Sequence, residues 1–266
     1  MIRGIIFDLD GTLVQTEKLK AQSYAVAVQR LRGLPEPDSQ AIEAYRSTVG
    51  VSRNEASRFV ADRLGLEAEL RPLMEEYKVD EPSLVLSAMR KAIYEEMVSD
   101  PQVIRDNQWP HTVGLLRVSR ETFCRTALAT MSYRPEALHV LRALDLEKEL
   151  DVVVTQEDVQ RGKPAPDIYL LAARKLGVPP EECLVLEDTP NGVRAAVAAG
   201  TNVVALATPF TYAGLHSDEL EGLLEHSWIV HDQDELLNVV RRRIEDHSRA
   251  PHPIAQDVES EALGGI

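Results

Sequence analysis

The 266-residue chain predicts an α/β protein, a Rossmann-like parallel-sheet core with an inserted α-helical cap domain. Three observations predict it. The chain opens on a short apolar, partly β-branched run, Gly4-Ile5-Ile6-Phe7-Asp8-Leu9, which ends in Asp10-Gly11-Thr12. That is the pattern of a buried central strand delivering polar residues at its tip. From Lys18 to about Asn107 there is helical periodicity and no strong strand signal. After that, strand and helix patterns alternate, which implies a parallel sheet wound by helices.

In chain order, helices are predicted over Lys18 to Leu31, over Ser52 to Leu64, where Ala56, Val60 and Leu64 fall in register, and over Ser83 to Val98. Breakers separate them at Gly33-Leu34-Pro35-Glu36-Pro37 and at Asp80-Glu81-Pro82-Ser83. The apolar stretch from Val85 to Met97 reads as cap core. The alternating part supplies strands at Thr126 to Thr130, Val152 to Thr155, Leu184 to Leu186, Val203 to Leu206 and near Trp228-Ile229-Val230. Its helices run over Pro135 to Leu144, Asp167 to Leu176, Asn191 to Ala199 and from Glu235 to about Ile244. The expected division is core 1–15, cap 16–107, core 108–246 and a mobile tail 247–266, the last polar with Pro251, Pro253 and a Gly-Gly pair. Thr16 and Glu17 lie on the expected first hinge, and the return linker falls between Asp100 and His111.

Composition narrows the function classes. Hydrophobic residues make up 44% and charged residues 27%, ordinary for a globular protein. A formal net charge of -14 disfavours a broad footprint on nucleic acid or anionic lipid, so neither is expected as a partner. The N-terminal apolar run reaches Asp8 too soon for a signal-peptide core, and no later run approaches the length of a membrane span. The two cysteines, Cys124 and Cys183, lack metal-ligand spacing and read as buried thiols of a reducing compartment, so a cytoplasmic location is expected. The oligomeric state is not legible.

Chemistry concentrates at predicted strand ends, where ligands of open α/β sheets bind. Asp8 and Asp10 share a face of an extended strand, and Gly11 lets the backbone turn sharply. A second acidic pair, Glu187-Asp188, closes the run Cys183-Leu184-Val185-Leu186. Carboxylates at two strand tips repel one another unless a cation or a shared proton intervenes, and hard oxygen ligands suit Mg2+. Lys163, in Gly162-Lys163-Pro164-Ala165-Pro166-Asp167, is a cation on a proline-stiffened loop. Thr130, followed by Met131 and Ser132, offers hydroxyls and backbone N–H groups to a phosphate. Plain structural readings stand beside these: a solvated strand end for Asp8 and Asp10, helix capping for Glu187 and Asp188, surface charge for Lys163, a buried strand hydroxyl for Thr130. His111 reads as a surface or packing residue.

Taken together, Phe-Asp-Leu-Asp-Gly-Thr-Leu at 7–13, the strand ending in Thr130, Gly-Lys-Pro-Ala-Pro-Asp-Ile-Tyr at 162–169 and Leu-Glu-Asp-Thr-Pro-Asn-Gly-Val-Arg-Ala-Ala at 186–196 resemble the four ordered motifs of the haloacid dehalogenase superfamily. The resemblance implies that Asp8 is a nucleophile forming an aspartyl-phosphate and that Asp10 is the general acid/base. It implies Mg2+ held by Asp8, the Asp10 backbone carbonyl and Asp188, with Glu187 assisting, and a transferring phosphoryl group bound by Thr130 and Lys163 with Ser132 nearby. A cap inserted after the first motif is similar to that of the β-phosphoglucomutase and phosphoglycolate phosphatase branch. Gly50-Val51-Ser52-Arg53-Asn54-Glu55 is similar to the mutase's substrate loop, which implies that Arg53 binds substrate; its plain reading is surface charge behind a Ser52 helix cap.

The chain departs from the mutase where Lys20 replaces a histidine, Gln15 an aspartate, Tyr133-Arg134 a Lys-Asn pair and His111 a glycine. The expected activity is therefore Mg2+-dependent hydrolysis of a small phosphate monoester, of a sugar or polyol, with the phosphorylated metabolite as the partner. A sugar phosphomutase is the alternative, and a catalytically quiet phosphometabolite-binding or regulatory protein is the alternative of another class.

Overall fold

In the computed structural model, which describes residues 1–49, 51–121 and 124–249, the sheet is built outward from its first strand. β1 (Gly4–Phe7) is buried along its whole length and pairs in parallel with two later strands. These are β2 (Arg125–Ala129) on one side and β4 (Cys183–Glu187) on the other. β3 (Val152–Val154) lies outside β2, and β5 (Asn202–Leu206) followed by β6 (Ile229–Val230) lie outside β4. All pairings are parallel, so the carboxyl ends of the strands share one edge. The register sets Phe7 opposite both Leu128 and Leu186, and the next residues, Asp8, Ala129 and Glu187, reach that edge side by side.

Alternation along the strands gives the sheet an apolar layer on each face. Ile5, Phe7, Leu184, Leu186, Val204 and Leu206 enter one core; Ile6, Val185, Val203 and Ala205 enter the other. The helices in between follow in order. α1 (Thr16–Arg32), α2 (Ser39–Arg46), α3 (Arg53–Leu64), α4 (Glu67–Leu70), α5 (Met74–Tyr77), α6 (Pro82–Val98) and α7 (Pro101–Asp106) precede α8 (Pro110–Glu121), which leads into β2. After β2 come α9 (Arg134–Ala143), α10 (Asp167–Leu176), α11 (Pro190–Ala198), α12 (Tyr212–Leu215) and α13 (Leu236–Arg249). The helices from α1 to α6 build a core of their own around Tyr24, Val28, Tyr45, Val60, Leu86 and Ile93: the inserted helical cap. Val85, Leu86 and Ile93 carry out the cap-core role expected of the 85–97 stretch.

Several helices escaped the sequence pattern for identifiable reasons. α2 follows two prolines that read as loop, but the Asp38 side chain accepts the Gln40 N–H and restarts the helix. α7 and α8 begin at Pro101 and Pro110; proline suits a first helical position, where no N–H is required. The 3-residue β3 stops before the expected Thr155. The chain enters the cap and returns through adjacent linkers: Gln15 N–H donates to the Asn107 carbonyl at 2.8 Å and Trp109 N–H to Leu13 at 2.8 Å.

Cys183 is buried as expected, but Cys124 is only half-buried. His111 is half-buried, its Nε2 3.1 Å from Asp234 Oδ1. Residues 247–249 continue α13, and the rest of the expected tail lies outside the described residues. Among the described residues no helix is long and apolar enough to cross a membrane.

Candidate active site

Asp8 leaves β1 at the strand edge, its backbone N–H still donating to the Leu186 carbonyl at 3.0 Å. Its side chain is 5% exposed and its Oδ1 accepts from Lys163 Nζ at 2.7 Å. The same ammonium donates to Glu187 Oε1 at 2.6 Å, so the loop before α10 ties the tips of β1 and β4 together. Lys163 also lies over the Tyr169 ring, 5.0 Å from its centroid.

Glu187, expected among the metal ligands, has both oxygens committed to protein donors. Oε1 accepts from Lys163 and from Tyr169 OH at 3.1 Å. Oε2 accepts from the backbone N–H groups of Asp188 and Thr189, each at 2.7 Å, and from Thr189 Oγ1 at 3.0 Å. Gly192 makes room for this carboxylate, since a Cβ there would stand 1.6 Å from Oε1.

Asp188 is the converse. It is fully buried, and neither Oδ1 nor Oδ2 has a hydrogen-bond partner in the protein. Buried polar atoms are rarely left unpaired, and an unpaired carboxylate costs far more than an unpaired amide. Gly11 packs against it: φ is +86° there, and an added Cβ would meet Asp188 Oδ2 at 2.0 Å. The first motif thus needs glycine both for its backbone and for the approach of Asp188.

Asp10 sits beside Asp8 but is held by different groups. Oδ2 accepts from Ser132 Oγ at 2.6 Å and from Thr130 Oγ1 at 3.4 Å, while Oδ1 is 3.1 Å from Lys20 Nζ. Thr130 in turn accepts the Ser132 N–H at 3.0 Å. Lys20 belongs to α1 of the cap and also binds Glu17 Oε1 at 2.7 Å; Tyr45 OH donates to Glu17 Oε2 at 2.5 Å.

The electrostatics follow from this crowding. Five carboxylates, Asp8, Asp10, Glu17, Glu187 and Asp188, surround two ammonium groups, Lys20 and Lys163. Burial pushes the Asp8 carboxyl up to about 8, with Glu187 and Asp10 adding to it against the pull of Lys163. Burial and the neighbouring Glu187 and Asp8 charges hold Asp188 well above the carboxylate range. Asp10 goes the other way: burial would raise it, but Lys20 and the Ser132 hydroxyl bring it down to about 2. Burial works against the charge of Lys163, but Asp8 and Glu187 outweigh it and hold the ammonium well above its ordinary range.

This donor set fits a divalent cation. Among the described residues no three His, Cys, Asp or Glu side chains make a complete metal cage. Mg2+ does not ask for one, since it binds through one or two carboxylates and keeps its remaining positions for water and phosphate oxygens. The unpartnered oxygens of Asp188, the Asp8 carboxylate and the surplus of negative charge are what such an ion would satisfy.

The strand edge forms the floor of a cavity of about 630 Å3 between core and cap, lined by Asp8, Asp10 and Lys163 below and by Arg53 and Arg90 above. Arg53, expected to meet substrate, stands at the start of α3, where Ser52 and Glu55 make a capping box. Sequence reasoning missed Arg90, which is 6% exposed and has an unpartnered Nε. Its guanidinium lies over the rings of Tyr24 and Tyr94, at 5.4 Å and 5.7 Å from their centroids. The available signal was a cation inside the otherwise apolar α6 pattern. Glu17 was expected only at the hinge and Tyr169 only as the last residue of the 162–169 motif, and Glu136 was missed, with nothing local to mark it.

Comparison with known proteins agrees with this architecture. Residues 2–200 match the family model described as haloacid dehalogenase-like hydrolase. The chain is 31% identical over 242 residues to a phosphorylated carbohydrates phosphatase of Thermotoga maritima, covering 90% of this chain and 99% of the relative. It is 29% identical over 217 residues to a phosphoglycolate phosphatase of Salmonella typhimurium, covering 79% and 83% of the two chains. A crystal structure of a HAD family hydrolase from Deinococcus radiodurans, with bound phosphate and sodium, superposes with a TM-score of 0.65 at 25% identity, over 91% of this chain and 96% of that one. With the Asp8-Leu9-Asp10-Gly11 motif at the tip of the central strand, the cap inserted behind it and these matches across its length, the chain belongs to the haloacid dehalogenase-like hydrolases.

Proposed function

We propose that the protein is a Mg2+-dependent phosphatase that hydrolyses a small phosphate monoester, of a sugar or polyol, through a phosphorylated Asp8. The observation that carries this reading is the Lys163 ammonium, 2.7 Å from Asp8 and 2.6 Å from Glu187, in a cavity that also holds Asp10, with the unpartnered Asp188 packed against Gly11 of the same motif. A relative of similar length, named for phosphorylated carbohydrates, supports the substrate class.

In this reading an Asp8 oxygen attacks phosphorus, the bond to the leaving oxygen breaks, and Asp10 gives that oxygen its proton. Water then attacks the aspartyl-phosphate, Asp10 takes the proton, and the bond from Asp8 to phosphorus breaks to release phosphate. Lys163 neutralises the nucleophile and the incoming phosphoryl oxygens, and Glu187 positions Lys163. Thr130 and Ser132 orient Asp10 and stand where a phosphoryl oxygen would approach. The cap, residues 16–107, closes over the reaction and excludes water. Asp8, Asp188 and the Asp10 carbonyl would hold Mg2+, which supplies Lewis-acid neutralisation of phosphoryl charge when bound. Arg53 faces the leaving group.

The test is phosphate release from an aryl phosphate and a panel of sugar, polyol and glycolate phosphates, with Mg2+ and with chelator. Asp8→Asn should lose at least ~10³-fold in kcat while still unfolding in one cooperative transition. A wild-type rate in that variant would refute the nucleophile assignment.

A further inference from the structure

α3 of the cap meets α9 of the core at the cavity wall opposite the strand edge, where the proposed reading puts the leaving group. There Arg53 lies 3.8 Å from Glu136 Oε1, an ion pair between cap and core with side chains 35% and 41% exposed. Among the described residues that line the cavity, the core's one lysine or arginine is Lys163, which the strand-end carboxylates hold. Arg134, the nearby candidate, turns away: its guanidinium donates to Asp158 at 2.6 Å and its backbone N–H to Glu157 at 3.0 Å. Tyr133 lines the cavity in its place. Lys20 and Lys163 are each engaged by two carboxylates. Arg90 adds one positive charge, its face taken up by Tyr24 and Tyr94.

We propose that Glu136 is a specificity-determining residue that disfavours substrates with a second phosphate and selects a neutral, hydroxyl-bearing leaving group. A distal phosphate dianion reaching Arg53 would have to lie beside the Glu136 carboxylate, and neither Arg90, packed on two tyrosine rings, nor Lys91, paired with Glu95, is free to offset both. A sugar or polyol meets no such conflict, because its hydroxyls can accept from the Arg53 guanidinium and donate to Glu136 at once. The proposal rests on the phosphatase reading of Asp8 and sharpens it toward monophosphates. It also counts against the mutase alternative, which must hold a bisphosphate in either orientation.

The experiment compares a hexose 6-phosphate with the 1,6-bisphosphate of the same hexose, in wild type, Glu136→Gln and Glu136→Lys. The bisphosphate-to-monophosphate ratio of kcat/KM should rise about tenfold in Glu136→Gln and further in Glu136→Lys, and the gain should shrink as salt rises from about 0.05 M to about 0.5 M. Dissociation constants of the same two ligands, measured by calorimetry on an Asp8→Asn background, should move in the same ratio. An unmoved ratio in both variants overturns the proposal, including the case where both substrates lose rate in parallel, as expected if Glu136 merely complements the first turn of α9. If wild type releases phosphate from neither ligand nor from the aryl, polyol and glycolate phosphates but the binding ratio shifts, the phosphatase reading fails and the Glu136 assignment stands.

Discussion

Lys20 of the first cap helix holds its ammonium 3.1 Å from Oδ1 of Asp10, the residue we propose as acid and base in the core. Ser132 holds the other oxygen of the same carboxylate at 2.6 Å. One anchor belongs to the cap and the other to the core, so the environment of Asp10 depends on where the cap stands. With the cap in place Asp10 is pulled down to about 2, chiefly by Lys20 working against burial. A cap that swung away would release that hold.

Replacing Lys20 by methionine is therefore expected to raise the Asp10 carboxyl, because burial then acts with less opposition. Because Asp10 gives its proton in the step that kcat/KM reports, its titration sets the alkaline limb of that pH profile, which should move up by about one pH unit or more. For stability the sign is opposite to that of a raised carboxyl. A depressed Asp10 contributes stability above its ordinary value of 3.8 that is lost as pH falls through about 2, and Lys20→Met should remove that contribution. An alkaline limb that stays in place would remove Lys20 from this role.

Metal-free protein should lose stability as pH rises. Asp8 titrates near 8 in the fold against an ordinary 3.8, so the folded state retains a proton that the unfolded chain gives up. The resulting stabilisation is complete below about pH 4 and disappears as pH climbs through about 8; Asp188, also raised, acts in the same direction. Mg2+ competes with those protons, so its stabilising effect should grow with pH. Melting temperatures with chelator and with excess Mg2+ at pH 5.5, 7 and 8.5 give the comparison. A Mg2+-induced increase that is largest at pH 5.5 would contradict it.

Glu187→Gln tests whether this residue positions Lys163. The amide keeps the shape but leaves the buried ammonium with one carboxylate instead of two. Breaking a buried pair costs roughly 3–5 kcal/mol at most, and the glutamine should recover part of that through its oxygen. The expected outcome is a kcat about 10²-fold lower with a smaller change in KM, together with a measurably lower melting temperature. Equal loss of Mg2+ affinity and kcat would instead make Glu187 a metal ligand.

Much of the fold was legible because its cues are local. The apolar run ending in Asp-Gly-Thr marks the central strand, breakers at 33–37 and 80–82 divide the cap, and the alternation after residue 125 implies a wound parallel sheet. The candidate catalytic set was legible for the same reason, since each member sits at the end of a recognisable strand or on a stiff loop. Helix starts at Asp38, Pro101 and Pro110 were less legible, because capping and first-turn proline reuse residue types that also break helices.

By itself, then, the sequence determined the strand-end carboxylates, the lysine loop and the inserted helical block. Only the tertiary structure decided what each charge faces. Lys163 meets Asp8 across 155 positions of chain because parallel register aligns the tips of β1 and β4 beneath the loop before α10. That packing commits Glu187 to protein donors, leaves Asp188 without one, turns Arg134 out of the cavity and sets Glu136 opposite Arg53. Pairings of this kind depend on strand order and on how the cap rests on the core, and no periodicity along the chain encodes either.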